Sequence, residues 1–206
     1  MKKTKSLIRK INPVFPESHL IEEAALFIRE GKIVAFPTQF LYGLGADALN
    51  KNAVDKIFNI KKRNLSNPIL VLIKNKEELT KLVKHIPDTA ISIMNRFWPG
   101  GVTIVFEAKA DLPVNLTAGT GKIGVRIPSH PVSVALVNGV DLPITATSAN
   151  ISGFPGCSVI SDFGAELLDE IDLILDAGIL KGGKGSTVID VTVNPPKILR
   201  QGEIAL

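Results

Sequence analysis

The sequence predicts an α/β fold built on an open, twisted, mixed sheet with flanking helices. Short apolar runs with strand character alternate along the chain with segments of helical periodicity, which is the pattern of α/β domains. Several connections between these runs are too short to hold a helical crossover, so some neighbouring strands must be antiparallel. The chain has 206 residues, 45% of them hydrophobic, which is enough for the core of one domain.

The first two predicted helices rest on capping and periodicity. A helix over 19–30 follows Ser18, a good N-cap residue, keeps apolar residues at helical spacing and ends at Gly31. A second helix over 51–61 rests on its apolar spacing alone.

The remaining elements follow from short β-rich runs and the helical stretches between them. Further helices are predicted at 76–84, 87–97, 132–138 and 163–168, and strands at 33–36, 69–73, 102–106, 123–127, 144–147, 173–175, 187–191 and 198–199. The interleaving of strands and helices supports an α/β domain.

Charge and length indicate one domain behind a basic tail. No repeat, low-complexity segment or linker divides the chain, so we predict a single domain over 15–206 and a basic N-terminal tail over 1–14. Five positive charges within the first ten residues exceed the net charge of +4, so the body of the chain is near neutral. We interpret the tail as a solvated, frayed terminus, with RNA contact as the alternative.

Composition excludes several classes of protein. No apolar run approaches the roughly 20 residues that span a bilayer, and the basic N-terminus lacks the apolar core of a signal peptide. The single cysteine, Cys157, excludes an internal disulfide and a multi-cysteine zinc site, and the histidines lack metal-ligand spacing. We therefore expect a cytoplasmic protein with no membrane contact and no resident metal.

The most informative segment covers residues 36–73. A strand ends at Pro37 in a polar, glycine-bearing turn with Thr38 and Tyr42, and a helix then leads to the basic cluster Lys61-Lys62-Arg63. Glycine lets a backbone approach phosphate closely, and lysine and arginine supply charge and donors. The segment therefore predicts a pocket for a phosphorylated ligand.

A glycine-rich segment near the C-terminus imitates a P-loop. Gly178 is followed by Gly183-Lys184 at P-loop spacing, but the next residue is Gly185 instead of serine or threonine. The residues after it form a predicted strand, whereas a P-loop opens a helix whose N-terminus faces the phosphates. The segment is therefore not a Walker site, and it either borders a ligand or is a flexible loop.

Polar residues in apolar strands are further candidates. The strand over 144–147 leads into Ser148 and Asn150, at the position where α/β sheets place ligand contacts. For this segment alone a helix cap or an Asx turn is the favoured explanation. Arg126 lies inside an apolar strand and needs an anionic partner, either a structural carboxylate or a ligand, and Arg200 poses the same choice.

No familiar nucleophilic or metal machinery is encoded. The chain has neither a Gly-x-Ser-x-Gly elbow nor a His-Glu-x-x-His motif, and we interpret His130 as a turn residue. Cations, hydroxyls and glycines without a nucleophile suit a reaction driven by positioning and charge stabilisation, such as nucleotidyl transfer.

Taken together, these segments resemble the YrdC-type family of threonylcarbamoyl-AMP synthases from about Gly31 to Gly202. The matching segments are Pro37-Thr38-Gln39-Phe40-Leu41-Tyr42-Gly43-Leu44-Gly45, Lys61-x-Arg63 with Asn67-Pro68, Phe97-Trp98-Pro99-Gly100, Val125-Arg126 with His130-Pro131, Thr147-Ser148-Ala149-Asn150, Ser186-Thr187-Val188 and Leu199-Arg200-x-Gly202. Each match is weak by itself, and six or more in register are strong. The chain resembles the short form of the family, without a C-terminal extra domain.

The resemblance implies an open α/β fold with a concave, positively charged cavity, and it implies a reaction. Threonine and bicarbonate form a carbamate, which attacks the α-phosphate of ATP and yields threonylcarbamoyl-AMP and pyrophosphate. The product serves threonylcarbamoyladenosine synthesis on tRNA. The implied substrates are L-threonine, bicarbonate and ATP, with Mg²⁺ assisting. The implied partners are downstream threonylcarbamoyl-transferase proteins, and direct contact with tRNA stays open.

The resemblance also assigns residue roles. The implied catalytic pair is Lys61 and Arg63, which contact the ATP phosphates together with Arg200. Nucleotide positioning falls to Asn67, Ser148 and Asn150, and the threonine or carbamate carboxylate to Arg126 and Ser186. Thr38 and Tyr42 shape the amino-acid end. We expect Lys61 and Arg63 to face ligand rather than core.

Several residues depart from the family pattern. Phe40 stands where threonine or alanine is common, Gln39 replaces an acidic residue, and Asn64 and Gly101 each replace a proline. Lys122 occupies a position that is often a small hydroxyl residue. The larger Phe40 is predicted to narrow or reshape the amino-acid pocket.

Three alternatives to the synthase stay open from sequence. One is a non-catalytic module that binds tRNA or double-stranded RNA, and another is a diverged paralogue with a different amino-acid or carbamoyl substrate. The third is a carbamoyl-AMP-forming domain like that of hydrogenase-maturation carbamoyltransferases, which the missing zinc-finger cysteines disfavour. One tryptophan and one tyrosine are few for an RNA reader based on stacking.

Overall fold

The computed structural model describes residues 6–64 and 67–206. The α-helices are α1 (Ser18–Arg29), α2 (Lys51–Lys61), α3 (Leu79–Leu82), α4 (Asp88–Phe97), α5 (Pro131–Val140) and α6 (Ala165–Leu168). The strands are β1 (Leu7–Lys10), β2 (Val34–Pro37), β3 (Tyr42–Gly45), β4 (Leu70–Leu72), β5 (Val102–Glu107), β6 (Lys122–Arg126), β7 (Ile144–Thr145), β8 (Thr147–Ser148), β9 (Leu173–Asp176), β10 (Thr187–Asp190) and β11 (Lys197–Arg200). Short 3₁₀ turns occupy Lys76–Glu78 and Ile160–Asp162.

The α/β class predicted from sequence is confirmed, with two mixed sheets in place of one. The first sheet has the order β1-β9-β2-β3-β8, and the second has the order β11-β10-β5-β6-β4-β7. Both contain parallel and antiparallel neighbours, as the short connections predicted. The two sheets meet where β7 passes into β8, because Ala146 lies between the two strands and its N–H donates to Leu70 O at 2.9 Å.

Strand alternation divides the hydrophobic core into two clusters. In the first sheet Val34 and Phe36 pack with α1 and α5, whereas Ile33 and Ala35 point to the opposite face. That opposite face joins a larger cluster with α2, α4 and one face of the second sheet. Because side chains alternate between faces, a strand that buries one set of residues presents the other set elsewhere.

The glycine-bearing segment after Pro37 is strand rather than turn at Tyr42–Gly45. β3 runs antiparallel to β2, and only residues 38–41 form the turn between them. A Cβ at Gly45 would lie 2.7 Å from Phe36 Cε1, so the close packing of that ring excludes a side chain. The glycines of this segment suggest a turn when only the sequence is considered. In the structure, Gly45 is required because the Phe36 ring packs against it.

The N-terminal segment also differs from the frayed terminus that we expected. Leu7–Lys10 pairs in parallel with β9, and the Arg9 guanidinium donates two hydrogen bonds of 3.0 Å to Glu23. The strand is an exposed edge with two charged residues, so its sequence resembles a tail. Lys2, Lys3 and Lys5 lie outside the described residues, and the single domain over 15–206 stays a prediction.

Smaller differences concern the ends of elements. Ser18 is the first residue of α1 rather than its cap, and Glu17 stands at the N-cap without a capping side chain. α2 has the predicted bounds, and Asn50 Oδ1 caps it by accepting from the N–H groups of Asn52 and Ala53. No helix within 6–64 and 67–206 has the length and hydrophobicity needed to cross a membrane.

Candidate active site: a cationic cavity

A cavity of about 860 Å³ lies against one face of the second sheet. Along β5 and β6 the apolar side chains Ile104 and Val125 enter the core, while the alternate residues Thr103, Gly124 and Arg126 line the cavity. A period of two therefore explains how an arginine occurs in an otherwise apolar strand.

The cavity walls come from segments far apart in sequence. They are the turn after β2, the residues around Arg63, the loop after β8, and the glycine-rich loop before β10 with the end of β11. The lining residues are Thr38, Phe40, Leu41, Tyr42, Gly43, Arg63, Pro68, Ile69, Leu70, Thr103, Val105, Thr120, Lys122, Gly124, Arg126, Ala146, Thr147, Ser148, Asn150, Phe154, Pro155, Gly156, Gly183, Lys184, Gly185, Ser186, Val188, Asp190, Leu199 and Arg200.

Cations dominate the charge of this lining. It contains Arg63, Lys122, Arg126, Lys184 and Arg200, and its carboxylate within the described chain is that of Asp190, which is paired with Lys122 at 2.8 Å. Clustered cations with low-dielectric walls concentrate positive potential in a cleft. The cavity is therefore suited to an anionic ligand.

Arg126 is the most informative of these cations. It is 4% exposed, and its Nε is buried without a hydrogen-bond partner. Burial, together with the charge of Arg200, lowers the pKa of Arg126 to about 10. Of the two partners that the sequence left open, no structural carboxylate contacts it within the described chain. A buried guanidinium without a partner is costly, so a ligand anion is the natural counter-charge.

Arg200 is held in place by the end of the glycine-rich loop. Its Nε and Nη2 donate to Ser186 O at 3.1 and 2.8 Å, and Nη2 also donates to Ser186 Oγ at 3.0 Å. The same Oγ accepts from Thr103 Oγ1 at 3.0 Å. Because Ser186 Oγ accepts twice, its own proton is free to be donated into the cavity.

Arg63 is positioned by the end of α2 and the chain that follows. Lys62 adopts a left-handed conformation that ends the helix, and Arg63 Nε and Nη2 then donate to Asn67 O and Pro68 O, both at 2.9 Å. Burial, with a smaller contribution from the charge of Arg200, lowers the pKa of Arg63. Three arginines from separate segments thus share one cavity.

Lys61 differs from our expectation that it faces the ligand. It is 1% exposed and is not among the cavity-lining residues. Its Nζ donates to Ser148 O at 2.5 Å, Asn150 O at 2.7 Å and Asn150 Oδ1 at 3.1 Å. Burial and then the charge of Arg63 lower the pKa of Lys61 to about 7. Lys61 lies beneath the loop after β8 and fastens it to α2.

The loop after β8 carries the predicted Ser148 and Asn150, and both line the cavity. The Asn150 side chain is occupied by contacts within the loop, since its Oδ1 accepts from Ser148 Oγ and its Nδ2 donates to Ile151 O and Phe154 O. These contacts, with those from Lys61, hold the loop in one conformation.

Thr38 and Tyr42 lie in the wall of the cavity, but their hydroxyls make internal contacts. Thr38 Oγ1 donates to Leu41 O at 2.6 Å. The Tyr42 hydroxyl donates to Gly178 O at 2.8 Å and accepts from Ala177 N–H at 3.0 Å, and burial raises its pKa to about 12. Tyr42 therefore anchors the start of the glycine-rich loop.

The remaining predicted residue, Asn67, is exposed and does not line the cavity. Its contribution in this geometry is the carbonyl that orients Arg63. The glycine-rich segment contains no helix, as expected, and residues 183–186 border the cavity.

Sequence reasoning missed three lining residues of chemical interest. Thr103 and Asp190 follow the alternation of β5 and β10, so their strand positions are a signal that could have found them. Phe154 follows the Ser-Ala-Asn segment in the loop after β8 and gives no comparable signal.

The site favours binding and charge stabilisation over nucleophilic attack by the protein. His130 caps α5 through its Nδ1, and Cys157 packs in the core. The residues in 6–64 and 67–206 include no group of three or more His, Cys, Asp and Glu side chains able to hold a metal ion. The arrangement can bind a polyanion and align a second anionic substrate beside it.

The fold and the site place the chain among α/β proteins that have a cationic cavity at one face of a mixed sheet. The chain belongs to the Sua5/YciO/YrdC family, whose model, described as telomere recombination, matches residues 26–202. The resemblance inferred from the motifs is thereby confirmed.

Individual relatives agree with this assignment. The chain is 43% identical over 92% of its length to a threonylcarbamoyl-AMP synthase of Pyrococcus abyssi, and 40% identical over 89% to one of Bacillus subtilis. It spans 56% and 54% of those proteins, about half of their length. The crystal structure of P. abyssi Sua5 complexed with L-threonine matches 96% of this chain and 58% of its own, with a TM-score of 0.91 and 41% identity.

Proposed function

We propose that this chain is a threonylcarbamoyl-AMP synthase that converts L-threonine, bicarbonate and ATP into threonylcarbamoyl-AMP and pyrophosphate. The observation that carries the proposal is the buried, unpartnered Arg126 in a cavity shared with Arg63 and Arg200. Such a cluster needs anions, and the proposed substrates are all anionic or carry a carboxylate. The names of the P. abyssi and B. subtilis relatives supply the reaction.

The chemistry fits a site without a nucleophilic side chain. Threonine nitrogen adds to bicarbonate and releases water to give a carbamate, whose oxygen is already a nucleophile. That oxygen forms a bond to the α-phosphorus of ATP, and the bond from this phosphorus to the bridging oxygen of pyrophosphate breaks. The protein must align the two anions and offset the charge that develops, which is the work of fixed cations.

We assign the arginines by their surroundings. Arg63 and Arg200 bind ATP phosphates, and Arg126 with the free proton of Ser186 holds the threonine or carbamate carboxylate. The P. abyssi structure in complex with L-threonine supports an amino-acid site in this fold. Thr38 and Tyr42 form the wall at the amino-acid end.

For Lys61 and the loop after β8 we propose an indirect role. Lys61 acts as a positioning residue that fixes Ser148 and Asn150 at the cavity, and these residues in turn orient the nucleotide. Asn67 contributes through its carbonyl to Arg63. The earlier assignment of Lys61 as a direct phosphate ligand stays a prediction.

The lining of this cavity is suited to a magnesium ion that is already bound to the ATP substrate. The lining carboxylate, Asp190, is already bonded to Lys122 and Thr192, so the described residues offer little to a hard cation. Mg²⁺ commonly binds through substrate phosphates and retains several waters. We therefore propose that it enters bound to ATP, where it neutralises part of the triphosphate charge.

The proposed product serves threonylcarbamoyladenosine formation on tRNA, with downstream threonylcarbamoyl-transferase proteins as partners and the cytoplasm as the location. Direct tRNA contact through a basic tail has less support than the sequence alone suggests. Arg9 and Lys10 lie in β1, and Arg9 is paired with Glu23. A non-catalytic RNA-binding module is therefore less well supported than the enzyme.

The test is release of pyrophosphate by the purified chain with ATP, magnesium and bicarbonate. We expect release that depends on threonine and that Arg126→Met abolishes. Absence of release with every amino acid tried would contradict the enzymatic proposal. Release with another amino acid would favour the diverged-paralogue alternative.

A further inference from the structure

We propose that Phe154 is a stacking platform for the nucleobase of the ATP substrate, an inference that rests on the ATP-binding role proposed above. Phe154 lines the cavity, yet it is 70% exposed. An aromatic side chain that remains open to solvent at a ligand cavity offers a flat apolar face to a partner.

The backbone that carries Phe154 is fixed. Phe154 O accepts from Asn150 Nδ2 at 2.7 Å, and Phe154 N–H donates to Ile151 O at 3.1 Å. Ser152 N–H donates to Lys61 O at 2.8 Å, which ties the same loop to the end of α2. The backbone position of residue 154 is thus set before a ligand arrives, so stacking needs to order only the side chain.

The ring itself has no aromatic or cationic partner within the described chain. The ring pair found there joins Tyr42 to Phe163, and the cation–π contacts involve Phe27 and Phe97. The other aromatic residues of the lining, Phe40 and Tyr42, are buried and therefore unsuitable for stacking. Phe154 is the aromatic residue of the cavity wall whose face is available.

A short path of contacts connects the Phe154 segment to the arginines. A Cβ at Gly156 would lie 2.7 Å from Leu41 Cδ1, and a Cβ at Gly185 would lie 3.8 Å from the same atom. The Gly185 position is also 3.9 Å from Arg200 Nη2. Leu41 therefore connects the loop that carries Phe154 to the loop beside Arg200, and we place the phosphates on Arg200 and the base on Phe154 across this junction.

The chemistry of the ring predicts how the base is chosen. Phenylalanine has no donor or acceptor, so it cannot distinguish bases by hydrogen bonding. Stacking depends on the π-face and its area, and it tolerates any base while favouring the larger purine ring. Phe154 is expected to contribute affinity for a purine nucleotide rather than strict selection of adenine.

Equilibrium binding of ATP and of inorganic tripolyphosphate to the whole chain tests the proposal. We expect Phe154→Ala to weaken ATP binding about 5- to 100-fold and to leave tripolyphosphate binding unchanged, because only ATP carries a base. Phe154→Trp should retain ATP binding. Phe15→Ala is the matched control, since Phe15 is 80% exposed but does not line the cavity, and it should change neither affinity.

The outcomes separate this inference from the proposed function. Equal ATP affinity for wild type and Phe154→Ala, or an equal loss for ATP and tripolyphosphate, would overturn the stacking role even if pyrophosphate release persists. Loss confined to ATP supports the stacking role even if the chain releases no pyrophosphate. Failure of the wild type to bind ATP would overturn both.

Discussion

Phe40 and Gly101 are fitted to each other at one end of the cavity. A Cβ at Gly101 would lie 2.9 Å from Phe40 Cε2 and 2.9 Å from Ile204 Cγ1. Phe40 is 2% exposed and lines the cavity. Both positions depart from the family pattern, and the contact explains why they suit each other, because a larger residue at 101 leaves no room for the Phe40 ring.

A double-mutant cycle tests this fit. We expect Gly101→Ala to destabilise the protein by about 1–3 kcal/mol through overpacking. In a Phe40→Ala background the same change should cost less, since the ring is gone and only the contact with Ile204 remains. Urea unfolding of the four proteins measures the coupling. Additive effects would mean that the protein relaxes at Gly101 without moving Phe40.

Arg126 illustrates a conflict between stability and function. Replacing a buried, unpartnered cation by an apolar side chain of similar length removes a desolvation cost, so Arg126→Met should raise the free energy of unfolding of the ligand-free protein by about 1–3 kcal/mol. The same variant should lose stabilisation by threonine, whose carboxylate we assign to Arg126, and retain stabilisation by ATP, whose phosphates we assign to Arg63 and Arg200. Urea unfolding with and without ligands measures both effects.

Arg9→Met is the control for this prediction, because Arg9 is an exposed edge-strand residue paired with Glu23. It should change stability by less than about 1 kcal/mol and leave ligand stabilisation intact. A destabilised Arg126→Met protein would show that the guanidinium has a structural partner instead of awaiting a ligand.

Local patterns predicted most of the fold, and tertiary packing explains the exceptions. The spacing of Val54, Ile57 and Phe58 marks α2 because these residues share one buried helix face. β3 was missed because Gly43 and Gly45 indicate a turn, whereas the Phe36 ring is what requires Gly45. β1 was missed because its exposed edge carries no apolar alternation. The Phe36 ring lies outside β3, and β1 is a strand through its pairing with β9, so neither strand is marked by its own residues.

The residues of the site also divide into those that local sequence identifies and those whose placement depends on tertiary packing. Arg126 was identifiable because a charge in an apolar strand is anomalous wherever the strand lies. The burial of Lys61 could not be predicted, since the three oxygen atoms around its ammonium come from residues 148 and 150, which are far away in sequence. A motif gives residue types at a spacing, and it does not determine which side of a loop each residue occupies.

The Lys122–Asp190 pair should stabilise the protein at neutral pH. Burial opposes ionisation of Asp190, but hydrogen bonds from Lys122 and Thr192 outweigh it, so its pKa lies below the usual value. A depressed carboxyl pKa adds stability above the unfolded-state pKa, and this stability is lost as pH falls through the folded value. Lys122→Thr should therefore cost about 1 kcal/mol at neutral pH and shift acid unfolding to higher pH.

Thermal unfolding between neutral and acidic pH measures both effects for Lys122→Thr. Lys51→Thr is the matched control, because Lys51 also pairs with an aspartate but lies on an exposed helix face away from the cavity. Since Lys122 lines the cavity, only its variant should also weaken ATP binding, by about 2- to 5-fold. Equal ATP affinity in the two variants would remove Lys122 from the binding site.

The lowered pKa of Lys61 leads to the prediction that the protein takes up a proton when it binds ATP. Its pKa is lowered from 10.5 to about 7, by burial first and by Arg63 second. As pH rises through that value the free protein loses the Lys61 proton and with it one of the three hydrogen bonds that Nζ donates, and a bound polyanion favours the ammonium, so affinity should fall as pH rises beyond 7. Calorimetry at about pH 8.5 in buffers of different ionisation enthalpy should detect the uptake, and Lys61→Met should abolish it.

Arg63→Met should bind more weakly yet still take up a proton, because Lys61 remains. Binding by the wild type with no proton exchange would show that Lys61 keeps its charge throughout.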